Sequence, residues 1–227
     1  MRRYYIIILI LAFLGCNHSM INTKKNIGTG LLIPIDFNDS IFKDFKMSIK
    51  DTNLISGWSI KYLVKDDSTK YKDLYITWSK DHYKGTWIGK SMFELRDMFI
   101  PQFEGEDSTC IYMTHACGTD CSGVLILQKE NNPMYTDYLS VESFSIKTSQ
   151  ILYITDKSNN DSVLQVALVD LKKKKEHLIN FNYRCTGVFK TSYIDTVIFG
   201  FNKTIIRANF DDKNLAKKIK EQREIKL

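Results

Sequence analysis

Short runs of alternating apolar and polar residues dominate the chain from residue 57 onward. Leu74, Ile76 and Trp78 alternate with Asp73, Tyr75, Thr77 and Ser79, and Ile60, Tyr62 and Val64 with Ser59, Lys61 and Lys65. A period of two sends successive side chains to opposite faces, so each run predicts a half-buried strand. Val163–Leu171 (VLQVALVDL) is apolar on both faces and predicts a central strand. Turn-forming clusters separate the runs at Asp66-Asp67-Ser68, Glu130-Asn131-Asn132-Pro133 and Ser158-Asn159-Asn160-Asp161.

The runs also recur. Leu74-Tyr75-Ile76-Thr77 returns as Ile111-Tyr112-Met113-Thr114, as Leu152-Tyr153-Ile154-Thr155 and loosely as Val197-Ile198-Phe199-Gly200, at offsets of 37, 41 and 45 residues. A second strand follows each copy: Tyr83–Ile88, Gly123–Gln128, Val163–Leu171 and Thr204–Phe210. A repeat near 40 residues with several strands per unit is the pattern of a β-propeller blade. With an N-terminal strand region from Leu31 to Val64, the chain is expected to fold as an all-β antiparallel meander. A propeller of four or five blades is one form of it, and a β-sandwich is the alternative. Helix is expected twice: over Ser91–Phe99, with Met92, Leu95, Met98 and Phe99 at helical spacing, and as a short C-terminal helix over Asp212–Leu227 behind an Asp cap.

The first thirty residues break this pattern. Met1-Arg2-Arg3 precedes about a dozen apolar residues ending at Gly15, with Cys16 next and the polar Asn17-His18-Ser19 after it. A charged start and an apolar run too short to span a bilayer predict a signal peptide over residues 1–15. Residues 16–30 are polar and end in Gly-Thr-Gly, which predicts a tether, and 31–227 then form one domain.

The end of the apolar run, Phe13-Leu14-Gly15-Cys16, resembles the lipobox of bacterial lipoproteins. Gly15 and Cys16 match; Phe13 stands in place of the usual Leu, and Leu14 where a small residue is commoner. The resemblance implies cleavage before Cys16 and acylation of its thiol and amine, palmitate included. An anchor of two or more chains holds firmly, because each buried methylene contributes about 0.8 kcal/mol. Asn17 lacks the acidic character that retains some lipoproteins in the inner membrane. The expected address is therefore the cell envelope, as an outer-membrane lipoprotein facing the periplasm or the cell surface. The likeness is confined to these residues, and no family is recognised for the mature domain.

Composition adds little beyond this. The 227 residues are 44% hydrophobic and 26% charged, ordinary globular values. The net charge of +6 comes mostly from Lys, and losing residues 1–15 removes Arg2 and Arg3 and leaves +4. A clustered, Arg-rich basic face is missing, so no nucleic-acid partner is expected.

Four cysteines remain besides Cys16. An exported, even set predicts disulfides. Cys110 and Cys117 share one predicted strand, about 23 Å apart at 3.3 Å per residue, too far to bond. Gly118-Thr119-Asp120 reads as a hairpin loop that sets Cys117 opposite Cys121. The pairing left is Cys117–Cys121 with Cys110–Cys185. A rival reading joins His115, Cys117 and Cys121 with Cys110 or Cys185 around a tetrahedral metal. The oxidising compartment favours the disulfides, so neither metal nor cofactor is expected.

Catalytic motifs are scarce. The chain has no Gly-x-Ser-x-Gly, His-Glu-x-x-His, phosphate loop or Gly-x-Gly-x-x-Gly. What remains is His82 beside Asp81 in a turn, His115, His177 on an apparent strand, and the acidic run Glu104-Gly105-Glu106-Asp107. Trp58, Trp78 and Trp87 are candidates for a carbohydrate or peptide surface, although Trp78 falls in the buried phase of its strand. Two functional readings follow. One is a lipid-anchored binding or assembly protein without catalytic activity, such as a periplasmic immunity-type protein, with a protein or glycan partner. The other is an envelope hydrolase or lyase that acts on carbohydrate with carboxylate and His chemistry, which requires His82, His115 and Glu104 to converge.

Overall fold

The alternating runs become strands that pair with their neighbours in chain order. The computed structural model describes residues 31–66, 72–90, 92, 96–155, 163–185, 190–212 and 217–227. The expected signal peptide, tether and Cys16 lie outside the described residues. Four antiparallel sheets follow one another along the chain. The first holds β1 (Leu32–Pro34), β2 (Thr52–Asn53), β3 (Ser59–Lys65), β4 (Leu74–Lys80) and β5 (Tyr83–Gly89), with β1 and β2 sharing one edge of β3. The second runs β6 (Gln102–Glu106), β7 (Cys110–Gly118), β8 (Cys121–Gln128) and β9 (Tyr135–Tyr138). The third runs β10 (Val141–Ser145), β11 (Gln150–Ile154), β12 (Val163–Asp170) and β13 (Lys175–Arg184). The fourth runs β14 (Ile194–Ile198), β15 (Lys203–Asp212) and β16 (Lys217–Lys226). The chain is all-β, as expected.

Each sheet buries a face against the next. Ile60, Leu74, Ile76 and Trp78 of the first sheet pack on Ile111, Met113, Leu125 and Leu127 of the second. The opposite face of the second sheet, with Tyr112, Val124 and Ile126, packs on Val141 and Ile151 of the third. The far face of the third, with Leu152, Val166 and Leu168, packs on Ile206, Ala208 and Phe210 of the fourth. The second and third sheets thus bury both faces, which is why β8 and β12 read as continuous apolar runs. Full burial of one such aliphatic side chain contributes about 1.5–3 kcal/mol.

Several expectations change. The C-terminal segment is strand β16, not a helix. Its residues from Lys217 pair with β15 in unbroken register, Phe210 opposite Ile219 and Thr204 opposite Ile225. Exposed Lys218, Lys220, Gln222 and Glu224 alternate with more buried Ile219, Glu221, Arg223 and Ile225, so a period of two outweighs the weak helical stripe. Within Ser91–Phe99 the structure shows a short 3-10 turn at Asp97–Phe99, and residues 91 and 93–95 lie outside the described set.

The recurring tetrapeptides do not occupy equivalent places. Leu74–Thr77 lies on β4, the strand before the last of its sheet, whereas the next two copies lie on or at the end of β7 and β11, the second strands of theirs. The fourth copy begins on β14, the first strand of its sheet. What recurs is the topology, and a buried strand accepts similar apolar residues wherever it sits. All three Trp enter one core between the first and second sheets, so they form no recognition surface.

Candidate functional site

Disulfide chemistry can be settled first. Cys117 and Cys121 are bonded, with Cα atoms 5.1 Å apart. Gly118, not Cys117, is the register partner of Cys121, and Cys117 is the extra residue of a β-bulge. Cys110 and Cys185 are free thiols, which corrects the second expected bridge. Cys110 belongs to the core between the second and third sheets, and Cys185 packs against the core between the third and fourth. The third sheet stands between them. Among the described residues no group of three His, Cys, Asp or Glu side chains is placed to hold a metal.

Polar latches cross each sheet interface, and they absorb Glu106 and Asp107 of the acidic run. Glu106 is held by the Lys129 ammonium and accepts 2.5 and 3.3 Å hydrogen bonds from the Ser56 hydroxyl and amide. Ser56, between β2 and β3, thereby ties the first sheet to the second, and Lys80 of β4 donates to its carbonyl at 2.8 Å. The Lys129 side chain is 3% exposed. Asp107 Oδ1 accepts the Thr109 amide (2.7 Å), the Thr109 hydroxyl (2.9 Å) and the Cys110 amide (2.8 Å). Its Oδ2 accepts the Tyr112 hydroxyl (2.7 Å) and the Ser149 hydroxyl (2.5 Å), the latter from the third sheet. Burial alone would raise this carboxyl; the donors from Ser149, Thr109, Tyr112 and Cys110 outweigh it and hold Asp107 at about 2. Between the third and fourth sheets, Thr204 donates to Gln150 at 2.6 Å and the Asn182 amide to both oxygens of Glu221.

His115 is held just as firmly. Its ring extends from β7 over Gly123, its register partner on β8, to Asp137 on β9. A Cβ on Gly123 would stand 2.4 Å from His115 Cε1, so only glycine leaves room for the ring. Nε2 lies 2.8 Å from Asp137 Oδ1, and Nδ1 lies 2.9 Å from the Ala116 carbonyl. Both nitrogens face acceptors, the pattern of an imidazolium that donates twice. Burial works against that charge, but Asp137 and the Ala116 carbonyl outweigh it and raise the His115 pKa.

Of the three residues of the proposed catalytic constellation, Glu104 and His115 lie on the paired strands β6 and β7 of the second sheet, and His82 lies in the first. His82 is exposed in the turn between β4 and β5 with its ring 4.0 Å from that of Tyr83, Glu104 is exposed on β6, and His115 is buried on β7. Among the described residues no hydrogen bond or ion pair joins any two of them. His177, on β13, has its Nε2 buried without a partner among those residues, and burial lowers its pKa.

One site escaped the sequence reading. A cleft of about 620 Å³ opens between the second and third sheets, walled by Thr114, Ser122 and Val124 on one side and by Val141, Glu142 and Ser143 on the other. In β10 the register passes from Val141 opposite Tyr153 to Ser143 opposite Leu152, so Glu142 is the extra residue of a bulge. A bulge re-aims a side chain, and here it sets a carboxyl at the wall of an otherwise uncharged stretch. Glu142 Oε1 is buried with no hydrogen-bond partner among the described residues, and burial pushes the group up to about 7. First strands β6 and β14 also carry an acidic residue at a bulge, Glu104 and Asp195, but both are exposed. Nothing in Val141-Glu142-Ser143-Phe144 marks the bulge in sequence. Gly123 inside an apolar strand was the one legible sign of a close approach nearby. No known protein family, curated protein or solved structure matches this chain.

Proposed function

We propose that this chain is a lipid-anchored cell-envelope binding or assembly protein without catalytic activity, of the kind a periplasmic immunity protein represents. The observation that carries the reading is the engagement of His115: with Asp137 on one nitrogen and the Ala116 carbonyl on the other, it keeps no free site for proton abstraction. Glu106 and Asp107 are likewise spent on latches between sheets. Support for the anchor is the Phe13-Leu14-Gly15-Cys16 sequence, with acylation at Cys16 and an outer-membrane address. The succession of four meander sheets, each packed on the next, supports a small four-bladed propeller over a two-sheet sandwich. Loops on such a rigid scaffold carry recognition of a protein or glycan partner.

Radiolabelled palmitate should enter the envelope-bound wild-type protein and fail to enter Cys16→Ser. Pull-down with the wild-type chain against the product of the neighbouring gene tests the immunity form; absence of a complex removes it. The hydrolase or lyase reading rests on Glu142, whose raised pKa suits a general acid. It ranks second because glycoside hydrolysis uses two carboxyl groups, and Glu142 is the only acidic residue among those lining the cleft.

A further inference from the structure

A carboxyl that has surrendered water on one oxygen without gaining a protein donor is an incomplete site. Among the described residues Glu142 Oε1 is in that position, at the wall of a 620 Å³ cleft. Buried polar groups are ordinarily paired, and an unpaired one calls for a partner from outside the chain. Three hydroxyl-bearing residues, Thr114, Ser122 and Ser143, line the same walls, as do Met98 and Phe144. No lysine or arginine is among the lining residues. The one other titratable side chain there is His115, and its charge is balanced by Asp137 at 2.8 Å. The cleft therefore offers one acidic group without a cationic neighbour in its lining, hydroxyl-bearing residues on its walls and an apolar flank for a short aliphatic stem.

We propose that the cleft between the second and third sheets binds a primary alkylammonium group, with Glu142 as its counter-ion. An ammonium head has three donors, enough for Glu142 and two hydroxyls, and its methylene stem lies against Phe144 and Met98. A neutral alcohol of the same length fills the space but leaves the carboxyl without a counter-charge. The head group is shared by free amines and by lysine side chains of a protein partner. The inference deepens the binding reading above and rests on it; the lipid anchor is independent of it.

The test is a chemical-shift titration of the full chain in detergent micelles, with n-butylammonium, 1-butanol and Nα-acetyl-lysine methylamide as probes. The expected result is saturable shifts at Ser143 and Val124 with butylammonium, at least tenfold weaker binding in Glu142→Gln, and no comparable binding of 1-butanol. Binding of the lysine derivative assigns the head to a protein side chain; binding of butylammonium alone assigns it to a free amine. Equal binding of 1-butanol, or unchanged affinity in Glu142→Gln, overturns the proposal. Should the variant fail to fold, the wild-type Glu142 carboxyl signal still decides. Its titration midpoint must fall when butylammonium is added, because a counter-ion favours the charged form, and a fixed midpoint overturns the proposal. None of these failures alters palmitate incorporation at Cys16, so the anchor is judged separately.

Discussion

His115 Nε2 reaches Asp137 Oδ1 at 2.8 Å by crossing the whole width of β8, and the residue it crosses is Gly123. Three strands are thereby tied by one side chain. In Gly123→Ala the new methyl group meets the imidazole, which must swing away from Asp137. The expected cost is about 2 kcal/mol of stability, the scale of overpacking in a filled site. Denaturant unfolding measures the loss, and the Asp137-coupled His115 ring signals should disappear from the spectrum. A variant as stable as wild type, with those signals intact, would contradict the account.

The same pair predicts how stability varies with pH. The folded pKa of His115 is raised above the ordinary 6.5. Its stabilising contribution is therefore complete below about pH 6.5 and is lost as pH rises through the raised folded value. The stability gap between wild type and Asp137→Asn should be widest near pH 5.5, at about 1–2 kcal/mol, and should narrow in alkali. Urea titrations at a series of pH values provide the check.

Asp107 acts in the opposite sense. Its folded pKa is about 2, below the unfolded value, so its contribution is present above about pH 4 and is lost as pH falls toward 2. Asp107→Asn keeps the size but loses the charge that gathers five donors. It should cost about 3 kcal/mol at neutral pH and less than that near pH 2. Acid unfolding followed by circular dichroism should show the two proteins converging.

Lys129 makes a sharper demand on its partner. Glu106→Ala leaves an ammonium that is 3% exposed with, among the described residues, the Asp107 carbonyl and the Ser56 hydroxyl as its remaining partners. An uncompensated buried charge costs about 3–5 kcal/mol, so this variant should unfold far more readily than wild type. Glu106→Ala combined with Lys129→Met should recover a good part of the loss, because the charge goes with its partner. A double variant no better than the single one would show that the pair is not the reason.

The free cysteines should differ in reactivity. Burial pushes the Cys110 thiol up to about 11, and the residue is 6% exposed, so thiol reagents should leave it unmodified in the folded protein. Cys185 is more open and should label first. Mass mapping after alkylation without reductant should find Cys117 still joined to Cys121; Cys110 joined to Cys185 would overturn the assignment.

Much of the architecture was legible because side-chain alternation is a local property. The runs at Ile60–Val64, Leu74–Trp78 and Val163–Leu171 are strands, and the double-sided run of the last lies in a sheet buried on both faces. Where the local signal was weak, the partner decided. The residues from Lys217 onward carry a faint helical stripe and also a period of two, and the edge of β15 chose the second. The tetrapeptide repeat was legible too, but its copies fall on different strands, since burial selects apolar residues without regard to their place in a sheet. Chemistry was the least legible level. Whether a carboxylate is free depends on donors far along the chain: Ser149 for Asp107, Ser56 and Lys129 for Glu106. The sequence by itself determined strands and the absence of familiar catalytic motifs, both of them properties of neighbouring residues. Only the packing of one sheet on the next decided which charges are paired and that Cys110 and Cys185 stand in different cores, because each of these depends on residues that the chain keeps apart.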